Sequence, residues 1–224
     1  MRPVLIGITG GIASGKSTFS RMIQEEGYTV IFSDQIGHEV LMLPEIKLKL
    51  VNAFGQDILV QNKIDRNKLR EIVFKDKSNI DKLNKIVHPE ILEAMDDVVN
   101  HSSFEYLFFE VPLLFETRLE DCFDFIVLVY VDQTIQIDRL INRNHYSYDH
   151  AKSIIDSQMP LAIKIEKSDL SIENNGTEED LHCQVWKVIK HLSGIRRRKI
   201  KSFVESQDNA SYHSSKKDFT KKHR

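Results

Sequence analysis

The stretch Gly10-Gly11-Ile12-Ala13-Ser14-Gly15-Lys16-Ser17 decides the fold of this 224-residue chain. It fits the pattern G-x-x-x-x-G-K-[ST], and it lies between an apolar strand-like run at Val4–Ile8 and a helical pattern at Lys16–Glu26. Glycines let the backbone curl so that successive N–H groups point at phosphate oxygens, and the helix presents its positive end to the same anion. Both flanking elements argue against a chance glycine-rich turn, so the stretch predicts binding of a nucleoside triphosphate with magnesium.

Two side chains of this loop are expected to bind the phosphates and the magnesium ion. Lys16 is expected to hold the β- and γ-phosphates as a mobile point charge, and the Ser17 hydroxyl is placed to bind Mg²⁺. The residues of the loop expected to bind ATP are Gly11, Ile12, Ala13, Ser14, Gly15, Lys16, Ser17 and Thr18.

Five short apolar runs predict the strands of one sheet. They are Val4–Ile8, Tyr28–Phe32, Tyr106–Val111, Phe125–Val131 and Leu170–Ile172. Runs without polar interruption suit strands covered on both faces, and helical patterns separate them, so we expect an α/β fold with a mainly parallel five-stranded sheet. Residues 35–100 interrupt the alternation and predict a helical insertion over the sheet, in which Pro89 should break or kink a long helix after His88.

Two short matches resemble the motifs of a GTPase. Asp34-Gln35-Ile36-Gly37 reads D-x-x-G, and Asn62-Lys63-Ile64-Asp65 reads N-K-x-D. A GTPase needs two helices and two strands between these motifs, and the 24 residues 38–61 are too few for elements of ordinary length. We therefore interpret both matches as coincidence.

Asp34 follows the second predicted strand, in the sequence Phe32-Ser33-Asp34. Ligands of open α/β sheets lie at the carboxyl ends of the strands. A carboxylate there can accept a proton from an attacking hydroxyl or hold magnesium, as phosphoryl transfer requires. The alternative is structural, with Asp34 as the N-cap of a helix over Gln35–Leu43.

Arg139 and Arg143 are four residues apart on the predicted helix Gln133–Asn144, so they share one face. That helix follows the strand Phe125–Val131 at the ligand edge, and residues 143–146 join it to a second helix. We expect a lid that brings cations to the γ-phosphate and excludes water. A solvated helix face is the alternative, and it applies equally to Arg70.

Two further segments leave alternatives open. His88 precedes Pro89, where it either caps a bend or takes part in binding. Pro112 directly follows a predicted strand, where proline is common in turns. The alternative is that the apolar residues Leu113-Leu114-Phe115, at the ligand edge, line an acceptor pocket.

Composition excludes several classes of protein. Hydrophobic residues make up 41% and charged residues 29% of the chain, a mixture typical of globular proteins. No window approaches the roughly 18 consecutive apolar residues of a membrane span. Two cysteines are too few for a disulfide framework or a tetrahedral zinc site, and the first residues lack a secretory pattern, so we expect a cytoplasmic location.

The C-terminal residues differ from the rest in charge. Residues 195–224 hold ten Lys/Arg and three Asp/Glu, a net charge of +7, while residues 1–194 carry −9. Their polar composition and missing hydrophobic period predict a largely disordered tail that catalysis does not need. A basic tail of this kind is in general either solvated or in weak contact with nucleic acid. For this chain we expect no nucleic-acid partner and no membrane partner.

With these residues in hand, the chain resembles the dephospho-coenzyme A kinases over about residues 3–192. The pieces that carry the resemblance are Ile8–Ile12 leading into Ser14–Ser17, Val30-Ile31 with Asp34, Arg66 to Leu69-Arg70 with Phe74, His88-Pro89, Val111–Glu116, Arg139 and Arg143 with Gln158, and Ile172–Gly176. It implies transfer of the ATP γ-phosphate to the 3′-hydroxyl of the dephospho-CoA ribose, the last step of CoA synthesis. It also implies a P-loop NTPase three-layer fold with a helical CoA domain and a lid.

The same resemblance implies roles for single residues. Asp34 resembles the general base, Lys16 and Ser17 the ligands of phosphate and magnesium, and Arg143 the lid arginine that clamps phosphate, with Arg139 beside it. The implied acceptor-binding residues are Asp34, Arg70, His88, Pro112, Leu113 and Leu114. We expect one monomeric domain over residues 1–194, with an insertion at about 35–100 and a lid at about 139–160, followed by the tail 195–224.

The sequence departs from the family pattern at two places. The family usually has D-A-D after the second strand, whereas Phe32 replaces the first carboxylate here, which is expected to weaken the hold on magnesium. Ala13 replaces the usual fourth glycine of the loop. The competing hypotheses are another small P-loop kinase with a nucleoside, nucleotide or shikimate-like acceptor, and a nucleotide-dependent binding or assembly protein.

Overall fold

The computed structural model describes residues 1–206. The strands are β1 (Val4–Gly10), β2 (Val30–Phe32), β3 (Leu59–Val60), β4 (Lys63–Ile64), β5 (Tyr106–Glu110), β6 (Phe125–Tyr130) and β7 (Leu170–Glu173). The helices are α1 (Lys16–Glu25), α2 (Ser33–Val40), α3 (Pro44–Phe54), α4 (Arg66–Val73), α5 (Lys77–His101), α6 (Gln133–Asn144), α7 (Tyr148–Asp156), α8 (Leu161–Lys167) and α9 (Glu178–His191). The five predicted strands are all present.

The main sheet has the strand order β2-β5-β1-β6-β7, and every pair in it is parallel. This confirms the predicted parallel sheet. All carboxyl ends therefore meet at one edge, where Glu110 lies opposite both Ile8 of β1 and Phe32 of β2. The insertion of β5 between β1 and β2 brings a carboxylate beside the start of the phosphate-binding loop.

The sheet is covered on both faces. Alternate side chains of β1 point to opposite faces because the side-chain period of a strand is two. Ile6 and Ile8 pack in one cluster with Phe19 of α1 and Val185 of α9. Leu5 packs in a second cluster with the helices of the insertion. The result is the expected three-layer arrangement.

The insertion contains α2 to α5, and it differs from expectation in two respects. A small antiparallel hairpin, β3 with β4, lies within the helical segment. Helix α5 also runs without a break from Lys77 to His101, so of the break or kink expected at Pro89 the break is wrong, and a kink stays a prediction. The buried apolar face of α5, which includes Leu92 and Met95, holds the helix together across the missing N–H of Pro89.

The GTPase-like matches have structural roles. Gln61 and Asn62 form the hairpin turn with φ of 50° and 62°. Asp65 then caps α4, its carboxylate accepting hydrogen bonds from the N–H groups of Asn67 at 2.9 Å and Lys68 at 3.0 Å. Asp34 to Gly37 lie within α2.

The expectation of a disordered tail does not hold over residues 195–206, which lie against the core. The side chain of Phe203 is 1% exposed and packs against the rings of Phe109 and Phe123 at centroid distances of 5.3 and 5.4 Å. The carboxylate of Asp96 in α5 accepts the N–H groups of Phe203 and Val204 at 2.8 and 2.9 Å. We call residues 195–206 the strap. The strap residues that contact the core show no helical or strand period in the sequence, because their spacing is set by tertiary contacts and not by regular secondary structure. Residues 207–224 lie outside the described part.

Candidate active site

The phosphate-binding loop joins β1 to α1 in a conformation that favours glycine. Gly15 has φ 88°, and a side chain there would collide with the amide of Asn174, whose Nδ2 donates to the Ser14 carbonyl at 2.8 Å. Ala13 has φ 56°, so the residue at the family's glycine position keeps a left-handed backbone at some cost in strain.

Side chains from the far end of the chain hold the loop in place. Gln136 donates to the Ile12 carbonyl at 2.7 Å, and the Ile12 N–H donates to Gln158 Oε1 at 2.9 Å. Arg139 donates to the carbonyl oxygens of Ala13 at 3.1 Å and Asn174 at 3.2 Å. The loop is therefore braced by α6 and by the segment that follows α7.

Lys16 lies at the centre of a group of charges. Burial lowers the pKa of Lys16, while the negative charges of Glu110 and Asp34 act in the opposite direction. The positive charges of Lys164 and Arg143 lower its pKa further. Residues from four elements (α2, β5, α6 and α8) thus act electrostatically on the lysine that the sequence assigns to phosphate.

Glu110, at the end of β5, is a site residue that the sequence analysis missed. Its Oε1 accepts a hydrogen bond of 2.8 Å from Ser17 Oγ, and its side chain is almost fully buried. The buried Oε2 has no hydrogen-bond partner among the described residues. The rule that singled out Asp34, a carboxylate at a strand end, applies equally to Glu110.

Asp34 is the second residue of α2, and the N-cap position belongs to Phe32. The N-cap hypothesis for Asp34 is therefore wrong. Its carboxylate is exposed and lines two neighbouring cavities, one of about 450 Å³ that also includes Ser17 and Glu110, and one of about 800 Å³ that extends into the insertion. Asp34 lies where the two cavities meet.

The larger cavity brings together three of the residues assigned to the acceptor, Asp34, Arg70 and His88. The Arg70 guanidinium lies 5.5 Å from the ring centre of Phe74, which is 68% exposed and also lines the cavity. Burial lowers the pKa of His88, so this imidazole is neutral at neutral pH. Because His88 lies inside a continuous helix, it does not cap a bend.

The residues Pro112, Leu113 and Leu114 lie away from this cavity. Leu114 is fully buried in the core, which excludes direct contact of its side chain with a ligand in this conformation. The Pro112 carbonyl accepts a hydrogen bond from Thr9 Oγ1 at 3.3 Å, and Leu113 is 43% exposed. Leu114 packs in the core cluster at this edge of the sheet, and its assignment to the acceptor stays a prediction.

A third cavity of about 590 Å³ lies on the other side of the loop. It is lined by Ala13, Gly15, Thr18, Arg139 and Arg143, together with residues of the segment from Asn174 to Leu181. Arg139 and Arg143 therefore share the predicted face. Arg143 is exposed, and its Nε donates to Asn144 Oδ1 at 3.0 Å.

The predicted lid contacts the loop through a small apolar cluster. Ile137 and Leu140 of α6 and Ala151 of α7 pack together, and Ile12 and Ala13 lie against them. None of the helices within residues 1–206 combines the length and hydropathy needed to cross a membrane.

The chain is similar to proteins of one family over most of its length. Residues 4–180 match the sequence model of that family, described as dephospho-CoA kinase. A dephospho-CoA kinase of Geobacillus kaustophilus is 40% identical over 197 residues, which cover 86% of this chain and 98% of that protein.

Two solved structures have the same fold. The crystal structure of TT1252 from Thermus thermophilus superimposes with a TM-score of 0.75 at 29% identity, covering 86% of this chain and 99% of that one. A dephospho-CoA kinase from Campylobacter jejuni superimposes with a TM-score of 0.63 at 30% identity, covering 85% of this chain and 97% of that one.

Proposed function

Because the chain belongs to the dephospho-CoA kinase family, we propose that its cleft transfers the γ-phosphate of ATP to the 3′-hydroxyl of the dephospho-CoA ribose. The product of such a transfer is CoA with ADP. The observation that supports this proposal best is the position of Asp34 between the phosphate-binding loop and the acceptor cavity. Its charge acts on Lys16, and its side chain lines the 800 Å³ cavity. A hydroxyl held in that cavity beside Asp34 would face the phosphate-binding loop.

Asp34 is proposed as the general base. Its exposed carboxylate is free of hydrogen-bond partners among the described residues, so it can accept a proton from the acceptor hydroxyl. In the loose transition state of phosphoryl transfer the base mainly orients the hydroxyl and takes its proton late.

Lys16 and Arg143 are proposed to balance the charge that spreads over the transferred phosphoryl oxygens. The lowered pKa of Lys16 reflects burial that excludes water, and electrostatic contacts are stronger in such a site. Arg143 is exposed at the end of α6, where closure of the lid would bring it to the γ-phosphate.

Ser17 and Glu110 are proposed to hold Mg²⁺. A buried carboxylate oxygen without a partner, next to a hydroxyl, fits a hard cation that prefers oxygen ligands. Within residues 1–206 no group of three His, Cys, Asp or Glu residues is placed to hold a metal ion. Magnesium commonly keeps several waters and binds through one or two protein oxygens together with substrate phosphates. When bound, the ion neutralises charge on the β- and γ-phosphates. Glu110 takes the place of the carboxylate missing at Phe32.

The acceptor is proposed to lie along the insertion. Arg70 supplies a positive charge suited to the diphosphate of dephospho-CoA, and the exposed ring of Phe74 supplies an apolar surface. His88, which is neutral, can donate or accept a hydrogen bond there. A monomeric enzyme in the cytoplasm remains our prediction.

The experiment that tests the function is ADP release from Mg-ATP with a panel of acceptors: dephospho-CoA, adenosine, AMP and shikimate. We expect rapid release with dephospho-CoA alone, together with formation of CoA, and a loss of roughly 10²–10³-fold in rate for Lys16→Ala. Turnover with shikimate or a nucleoside instead would assign the chain to another kind of small kinase.

A further inference from the structure

Lys164 of α8 is a buried lysine to which the reaction as described assigns no part. Its side chain is 1% exposed, and its Nζ lies 2.7 Å from Glu116 Oε1 in an ion pair. Glu116 ends the Val111–Glu116 block that follows β5, so the pair joins α8 to the sheet edge beside the phosphate-binding loop.

The carboxylate of Glu116 has a second partner. Its Oε1 also accepts the backbone N–H of Met159 at 3.1 Å, and the preceding residue, Gln158, accepts the N–H of Ile12 at 2.9 Å. Gln158 and Met159 form the chain that leaves the lid helix α7. The rear end of the lid is thus fixed at two successive residues, one to the phosphate-binding loop and one to Glu116.

Stability alone is a poor reason for such a pair. Removing two charges from water costs more than their attraction usually returns, and apolar side chains of similar size often stabilise a core at least as well. Glu116 Oε2 is buried without a hydrogen-bond partner among residues 1–206, so the pair is not even fully satisfied. A role in positioning neighbouring segments gives a reason for the buried Lys164–Glu116 pair that its contribution to stability does not give.

The location of the pair indicates what it positions. Lys164 lines a cavity of about 460 Å³ under the loop together with Gly11, Ser14 and Gln158. Its charge also acts on Lys16, in the same direction as that of Arg143 on the lid. A shift of Lys164 would therefore move both the lid hinge, which is the segment Gln158–Met159 behind α7, and the phosphate-binding loop.

We propose that Lys164, through its ion pair with Glu116, is a positioning residue that holds the lid hinge so that closure excludes water from the γ-phosphate. This inference rests on the proposed function. When the pair is broken, the hinge at Gln158 and Met159 loosens, and water in place of the acceptor hydroxyl attacks the γ-phosphorus. The products are then ADP and inorganic phosphate instead of ADP and CoA.

The test compares ADP release with CoA formation in Lys164→Met, which keeps an unbranched side chain that is one atom shorter and removes its charge. We expect kcat for CoA formation to fall by about 10- to 100-fold and the amount of ADP per CoA to rise well above that of the wild type. Lys164→Arg should restore most of the wild-type ratio. Lys167→Met is the matched control, since Lys167 pairs with Glu120 at the surface of the same helix, and it should behave as wild type.

A merely structural role for Lys164 predicts another pattern. In that case Lys164→Met would lower the melting temperature, CoA formation and ADP release would fall together, and the ratio of ADP to CoA would stay at the wild-type value. That outcome overturns the inference. If Lys164→Met does not fold, Glu116→Gln removes the charge while keeping an acceptor for Met159, and it should raise the same ratio. Absence of CoA formation by the wild type would instead overturn the proposed function and the inference with it.

Discussion

Ser17 Oγ donates a hydrogen bond of 2.8 Å to Glu110 Oε1, although 93 residues separate the two in the chain. The bond exists because β5 lies between β1 and β2, which sets the end of β5 beside the first turn of α1. Phe32 stands opposite Glu110 in the neighbouring strand, at the position where the resemblance to the family implies a carboxylate. The negative charge missing from β2 is thus present one strand away.

Glu110→Gln should raise the magnesium concentration needed for half-maximal rate by roughly tenfold or more, because a neutral amide is a poor ligand for a hard cation. The measurement is a magnesium titration of the initial rate at fixed ATP. Glu105→Gln, at the opposite end of the same strand region and exposed, is the control. An unchanged magnesium requirement in Glu110→Gln would remove this residue from the metal site.

Asp34→Asn should lower kcat by at least ~10²-fold while ATP affinity changes little, because the amide cannot accept the proton of the acceptor hydroxyl. Isothermal titration with a magnesium–ATP analogue, run beside steady-state kinetics, separates the two effects. Glu39→Gln, at an exposed position of the same helix, should leave both unchanged. Loss of nucleotide affinity together with kcat would make Asp34 chiefly a metal ligand.

Phe203→Ala should lower the free energy of unfolding by about 3–5 kcal/mol, because the ring is fully buried between Phe109 and Phe123 and its removal leaves a cavity. Val204→Ala, at a position 45% exposed, should change it by less than about 0.5 kcal/mol. Urea unfolding of both variants checks this. Equal midpoints would mean that the strap over residues 195–206 does not pack on the core in solution.

His88 should make the protein less stable in acid. Burial holds its pKa in the folded state below the usual value of 6.5, so the unfolded chain binds more protons as the pH falls below about 6.5. Stability is therefore complete above that pH and is lost as the pH falls towards the folded-state pKa.

His88→Gln should flatten this loss, measured as the urea midpoint between about pH 7.5 and 5. The same acid slope in His88→Gln as in the wild type would show that other groups cause it.

Much of the fold follows from local patterns. The phosphate-binding loop needs a particular order of glycines, a lysine and a hydroxyl, and the five strands are continuous apolar runs that only a covered sheet can bury. Because every carboxyl end of a parallel sheet lies at one edge, the position of Asp34 after β2 was enough to place it near Lys16.

The sequence by itself therefore determined the fold class, the phosphate-binding loop and the edge where a ligand lies. Tertiary structure alone decided which carboxylate pairs with Ser17, because the order of strands depends on long-range packing and not on the period of any segment. It also decided the burial of Phe203 and Lys164, since neither lies in a repeating pattern. Each is held by partners far away in the chain, Phe203 by two aromatic rings and Lys164 by the carboxylate of Glu116.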